Sequence, residues 1–336
     1  MTFASDESDV VQEGGDPDRA RGRTGVEEHR TAGSAPAGQA DLIDRVAAAL
    51  QTAKLSFRII GAILFGSTAR GEARPGSDVD LLAVAEGLPP KCHRRSRQSG
   101  EIKRLFPGVA VDVLLLTPDE VRSNFANHNP LFLDIAEDGT VLFDDGRLTE
   151  ALRETRQYVR TRGIIRTRHG WRFPVQRGTP TYLSKVTNRD FAFGMLQDAE
   201  RDLEIGRRLL EQGYYDKAVY HFQQAAEKGV KGALIALGVF QKTHLVGAVL
   251  RQTASEERVP EQWRPQLAAA ASLSEELEPD MSLSRYPGII DDTLWLPSEE
   301  YTDADAKAAA SKATRALTIV QGFVQEWFKP PPEPEG

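Results

Sequence analysis

The sequence predicts an α+β chain, with a small mixed β-sheet and flanking helices first and an all-α antiparallel helical bundle after it. Two patterns carry this reading. Between Ile59 and Leu116, short apolar β-branched runs alternate with polar turns containing Gly and Pro, as strands do. From Asn188 onward, apolar residues recur at helical spacing. A length of 336 residues exceeds the usual single domain, so two domains are expected. The hydrophobic share of 40% and the charged share of 27% suit a globular chain with a core. A net charge of −7 argues against broad electrostatic binding of nucleic acid. The single Cys92 excludes an internal disulfide framework and a cysteine-built zinc site. With no membrane-length apolar run and an acidic N-terminus lacking an apolar signal core, the expected chain is cytoplasmic with no membrane partner.

In chain order, residues 1–39 are polar, charged and Gly-rich, too poor in large apolar groups to offset the entropy of ordering, and read as a disordered tail. Residues 40–146 form the first folded segment. Asp41 is placed to cap a helix whose apolar face runs through Leu42, Ile43, Val46, Ala49 and Leu50. Strands are expected at Ile59–Phe65, Val79–Val84, Val109–Leu116 and Thr140–Phe143, with helices near Pro118–Phe125 and Pro130–Ala136. The basic stretch Lys91–Arg104 reads as a helix with a solvated face. Residues 147–187 are an Arg-rich connector whose first half extends a helix and whose second half, Gly170–Pro180, reads as irregular. Its Arg and aromatic residues suit either a nucleic acid or an interdomain surface facing the acidic site.

The bundle occupies residues 188–328. One stripe, Ala192, Leu196, Ala199, Leu203 and Leu210, ends at Gly213; a second runs from Ala218 through Phe222, Ala226, Val230 and Leu234 to Leu237. The opposite face of that second helix is expected to carry Gln223, Gln224, Glu227, Lys228 and Lys231. Shorter helices around Leu245–Arg251 and Gln262–Leu277, a loop at Pro279–Pro297 and a long helix at Asp303–Phe328 complete it, before a Pro-rich tail at 329–336.

The stretch Ala62–Glu86 holds the chemistry. Gly66-Ser67 breaks the first strand where a missing Cβ lets a phosphate approach the backbone, Ser67 adds a hydroxyl, and Arg70 and Arg74 are near enough to neutralise phosphate charge. Asp78 and Asp80 flank Val79 at the start of the next strand, so both carboxylates point one way. Two such charges repel unless a cation lies between them, and a hard divalent ion wants oxygen ligands. Asp112 interrupts a third apolar strand, where a lone charge needs a partner. A pair of strand-capping Asp residues is the plain alternative.

Gly66-Ser67, Arg70-Gly71, Ser77-Asp78-Val79-Asp80-Leu81 and Asp112 together resemble the minimal nucleotidyltransferases of the DNA polymerase β superfamily. The resemblance implies that Asp78, Asp80 and Asp112 are catalytic and hold two Mg²⁺ ions, with Asp112 helping to activate the attacking hydroxyl. It also implies that Gly66, Ser67 and Arg70 bind ATP or another nucleoside triphosphate. The acceptor would be a hydroxyl of a small molecule in the cleft between domains or of a protein.

The bundle is similar to a HEPN domain in Asp198–Leu203, Gly213–Tyr215, Ala218–His221, Gln223–Lys228, Lys231–Leu234, His244 and Ser284-Arg285-Tyr286-Pro287. HEPN domains often dimerise, which implies a homodimer through the bundle, and many cleave RNA with an Arg followed a few residues later by His. Arg285 stands in the right region without a following His, so Arg285, Tyr286 and His221 are the site this similarity implies. RNA is a partner only in the alternative reading of a toxin–antitoxin-like module in which the nucleotidyltransferase part controls the bundle.

Overall fold

The computed structural model describes residues 37–73, 77–167, 170–183, 186–290 and 292–330. Helix α1 (Ala37–Thr52) precedes strand β1 (Arg58–Phe65), the one-turn helix α2 (Gly66–Arg70) and β2 (Val79–Glu86). Helix α3 (Ser96–Lys103), β3 (Val111–Leu116), α4 (Pro118–Ala126), α5 (Pro130–Asp138), β4 (Thr140–Phe143) and α6 (Arg147–Thr161) follow. The four strands form a mixed sheet in the order β3-β2-β1-β4, with only the β2–β3 pair parallel.

Alternation along the strands divides the core. Ala62, Leu64, Leu81 and Ala83 pack under α1 and α3, against Val46, Leu50 and Ile102. Ile63, Leu82 and Val84 pack under α4, α5 and α6, against Phe125, Phe132, Ile135 and Leu152. Asp80 and Asp112 continue this second face toward one end of the sheet.

Several expectations need correction. Helix α1 starts at Ala37, inside the segment expected to be disordered and ahead of Asp41, so Asp41 is not its cap; residues 1–36, like the tail residues 331–336, lie outside the described residues. Within the basic stretch, Arg95 is buried and makes two bonds to Glu120, at 2.5 and 2.9 Å, and others to the carbonyls of Pro89, Pro90 and Leu115. A planar guanidinium with five donors can satisfy a whole loop in this way, which a solvated face would not require.

The connector is also more ordered than expected. Strands β5 (Ile165–Thr167) and β6 (Gly170–Arg172) form a hairpin, and β6 pairs antiparallel with β7 (Val239–Gln241) from the helical half. A Cβ on Gly170 would lie 1.9 Å from the Phe240 carbonyl oxygen, so only glycine permits this approach. This small sheet, with Leu133 of α5 and Trp171 in the bundle's own core, joins the two halves.

The helical half is built on α7 (Asn188–Glu211), α8 (Tyr215–Ala236), α9 (Gly247–Ala254), α10 (Arg264–Glu275) and α13 (Asp303–Trp327), with α8 packed between α7 and α13. The expected loop at Pro279–Pro297 instead contains α11 (Asp280–Leu283) and the hairpin β8 (Gly288–Ile290)–β9 (Thr293–Trp295), ahead of α12 (Pro297–Glu300). Gln223 and Glu227 do not lie on a solvated face of α8: both are buried. Glu227 accepts from Gln223 (3.0 Å) and pairs with Lys231 (2.8 Å) and His244 (2.9 Å). Burial alone would raise the Glu227 carboxyl, but these three partners together hold it below the usual carboxylate range. No helix among the described residues is long and apolar enough to cross a membrane.

Phe222 is fully buried on α8, and its ring fills the space that a side chain at Gly206 of α7 would need. Phe222→Ala is expected to cost about 3–5 kcal/mol in unfolding free energy, read by denaturant titration of the helical signal. A loss below about 1 kcal/mol would contradict this packing.

Candidate active site

The end of β1 and the start of β2 bring the predicted residues together. Phe65 stands opposite Asp80 across the antiparallel pair, and Asp80 stands opposite Asp112 across the parallel one. Neighbouring strands lie about 5 Å apart, so Asp80 and Asp112 are side by side on one face. Asp78 lies just ahead of the strand, where its carbonyl accepts from the buried Thr68 hydroxyl at 3.4 Å and the next residue, Val79, donates to Ala110.

Gly66 fixes the other side of Asp80. It has φ +72°, and a Cβ there would meet Asp80 Oδ2 at 1.9 Å. The carboxylate therefore lies against the backbone at the Gly66-Ser67 turn, in space that exists only because the residue is glycine. The polar turn expected at Thr68–Ser77 begins as α2, closed by Gly71 in the left-handed conformation; Arg74 lies outside the described residues.

The three carboxylates differ in exposure: Asp78 and Asp112 are exposed, whereas Asp80 is half-buried. Burial, and then the charges of Asp112 and Asp78, push the Asp80 carboxyl above its ordinary range; Lys242 and Arg70 oppose this in part. Among the described residues, no three His, Cys, Asp or Glu side chains close around one point tightly enough to hold an ion. The donor set nevertheless fits a hard divalent cation: carboxylate oxygens, on adjacent strands, whose mutual repulsion a cation would relieve.

Arg70 faces this site but is not free. Its Nε donates to Glu72 (2.7 Å) and its Nη1 to Asp138 (3.1 Å). Asp138 also accepts from Arg166 Nη1 at 2.7 Å. Burial would raise the Asp138 carboxyl, yet its bonds and charge pairing with Arg166 and Arg70 hold it below the ordinary value. Next to it, Asp134 accepts from Trp171 Nε1 (3.1 Å) and pairs with Arg166 and with Lys242. Arg70, Glu72, Asp134, Arg166 and Lys242 line a cavity of about 580 Å³ between the two halves. Sequence reasoning missed Asp134, Asp138 and Lys242; among them only the charge of Asp134 amid the apolar residues of α5 gave a signal.

The residues singled out on the bundle are partly dispersed. Arg285 donates to the Tyr286 hydroxyl at 2.9 Å and lies over the rings of Tyr286 (4.9 Å) and Tyr220 (5.2 Å). Tyr286 is exposed. His221 turns to α7 instead, with Nδ1 2.9 Å from Asp202, and reaches this cluster only through its edge contact with the Tyr220 ring. Asp202 is also held by Lys228 at 2.6 Å.

Comparison with known proteins finds relatives of both halves of the chain. The model of a nucleotidyltransferase domain matches residues 43–143, and the model of a HEPN domain matches residues 194–323. The Methanocaldococcus jannaschii protein named "Putative toxin MJ1304" is 34% identical over 141 residues, 42% of this chain and 93% of that protein. From the same organism, "Putative protein adenylyltransferase MJ1305" is 34% identical over 100 residues, 28% of this chain and 67% of its own length. The crystal structure of ST0689, an archaeal HEPN homologue, is 32% identical, covering 40% of this chain and 97% of its own, with a TM-score of 0.30.

Gly66→Ala is expected to displace the Asp80 carboxylate by close to an ångström or more and to lower nucleotide transfer about 100-fold with the fold retained. Transfer assays alongside circular dichroism check this; near-normal transfer would contradict the arrangement. Because the Asp80 carboxyl is raised, its ionisation opposes folding: the penalty is absent below the ordinary carboxyl range and complete once pH has risen past the folded value. Asp80→Asn should therefore unfold at a higher temperature than the parent at pH 7 in the presence of a chelator, and the gain should shrink as pH falls toward 4.

Proposed function

Because the chain belongs to the family of nucleotidyltransferase and HEPN-domain proteins, we propose that it is a metal-dependent enzyme that moves a nucleoside monophosphate, AMP from ATP, onto a hydroxyl. The observation that carries this reading is the placement of Asp80 beside Asp112 and against the Gly66 turn. In this reaction the acceptor oxygen bonds to the α-phosphorus, the bond from that phosphorus to the bridging oxygen breaks, and pyrophosphate leaves. The acceptor's proton goes to Asp112, the more exposed carboxylate of the β2–β3 pair. Gly66 and Ser67 hold the β- and γ-phosphates with their backbone and hydroxyl groups, and Arg70 balances their charge.

Asp78, Asp80 and Asp112 would hold two Mg²⁺ ions, which when bound stabilise the charge that builds on the transferring phosphoryl group. The protein's own part is chiefly positioning: the fixed strand register holds the base on β3 and the nucleotide turn at the end of β1 on either side of Asp80, two strand spacings or about 10 Å apart. The relative named as a protein adenylyltransferase supports a protein hydroxyl as acceptor; a small molecule in the cleft between the halves is the other form of the same reading. The helical half would hold the acceptor or a partner, a second copy of this chain included, in a cytoplasmic setting. A second reading, a toxin–antitoxin-like module acting on RNA, is favoured by the exposed Arg285–Tyr286 pair and by the relative named as a toxin. Failure to retain or cleave RNA at low salt would remove that support.

Incubation with Mg²⁺ and α-labelled nucleoside triphosphates, with and without a metabolite or protein pool, tests the main reading through label transfer and pyrophosphate release. Asp78→Asn and Asp80→Asn are expected to abolish both signals. Asp112→Asn should lower them about 10²–10⁴-fold, the usual contribution of a general base. Transfer near the parent level in any of the three would sink the assignment, as would full activity in excess chelator.

A further inference from the structure

The cleft that Arg70 lines has a wall that lies outside the nucleotidyltransferase motif. Strand β7 is locked to β6, with Gln241 opposite Gly170 and the two backbones in close contact, so Lys242 leaves a fixed strand end. Its ammonium group pairs with Asp134, in the same cavity that Arg70 and Arg166 line. The three cations differ in how firmly they are engaged. Arg70 bridges Glu72 and Asp138, and Arg166 bridges Asp138 and Asp134. Lys242 has Asp134 as its ion-pair partner, and its side chain is 52% exposed on a flexible stem.

We infer that Lys242 is a phosphate-binding residue of the transfer site, supplied by the helical half of the chain, which exchanges its contact with Asp134 for a terminal phosphate of the bound nucleoside triphosphate. The inference rests on the reading of Asp78, Asp80 and Asp112 as a nucleotidyl-transfer centre. After the exchange Asp134 Oδ1 keeps Trp171 Nε1 and Arg166 as partners, while Oδ2, which faces Lys242 without a well-formed hydrogen bond, gives up that contact. An ammonium with three rotating donors suits a phosphate, which presents several oxygens over a range of directions. Glu72 and Asp134 line this cavity, and Asp138 engages two of its arginines, so a polyanion binds there only with cations opposing these carboxylates. The nucleotide site is in consequence composite: its motif lies in the first half and one of its charges in the second.

Equilibrium binding of a non-hydrolysable ATP analogue and of AMP, each with Mg²⁺, tests this in the full chain. Lys242→Gln is expected to weaken the triphosphate analogue about 10-fold or more, the worth of one charge-assisted bond, while AMP binds as in the parent. Lys242→Arg should recover most of the loss, and Lys312→Gln, which removes a lysine from the bundle surface beside Glu276, should change neither affinity. Equal triphosphate affinity in the parent and Lys242→Gln would overturn the inference and leave the transfer centre standing. Parallel loss of triphosphate and AMP would also overturn it, by showing a structural role. Absence of any nucleotide binding by the parent would bring down the underlying reading together with the inference.

Discussion

The site depends on one constraint of register. Asp80 stands opposite Phe65 on one side and Asp112 on the other, and the residue after Phe65 has no side chain. A slip of one residue in either pairing would turn the carboxylates to the opposite face, under α1 and α3. The buried faces on both sides of the sheet oppose that slip, since Ile63, Leu82 and Val84 on one side and Leu64, Leu81 and Ala83 on the other would all exchange environments. The apolar core thus fixes the charge geometry. The repulsion focused on Asp80 is a cost borne by the folded state, of the kind that accumulates at functional sites.

The second half of the chain is tied to this site by polar contacts as well as by packing. Asp134 and Asp138 lie on α5, whose apolar residues serve both cores: Phe132 and Ile135 pack under the sheet and Leu133 enters the bundle core. The two carboxylates collect Arg70 from α2, Arg166 and Trp171 from the joining sheet and Lys242 from the end of β7. Buried charges are tolerated only when paired, and here each carboxylate has at least two partners. The network borders the cavity that Arg70 lines, so the relative position of the halves and the charge environment around Arg70 are set by the same few side chains.

Much of this was legible in the residues. Strands β1 to β4 follow the apolar runs closely, because short β-branched segments bounded by Gly and polar turns have few other ways to be buried. Gly66, Asp78, Asp80 and Asp112 stood out because each breaks an apolar pattern. The connector was harder to read: Ile165–Thr167 and Gly170–Arg172 are three-residue strands carrying Arg, and their order comes from pairing with Val239–Gln241, a contact between distant parts of the chain. Polarity alone points Gln223 and Glu227 outward, whereas Glu227 lies inside with Lys231, His244 and Gln223 itself as partners. Lys242 carried no local signal; its meaning lies in the fold.

The central claim is that Asp78, Asp80 and Asp112 form a metal-dependent nucleotide site at the Gly66 turn. The most direct measurement is Mn²⁺ binding by electron paramagnetic resonance, with and without a non-hydrolysable nucleoside triphosphate, in the parent and Asp80→Asn. The account predicts metal binding by the parent that tightens when the nucleotide is present and is lost in Asp80→Asn. Metal and nucleotide binding in Asp80→Asn equal to the parent, or no metal binding by the parent with nucleotide present, would contradict it.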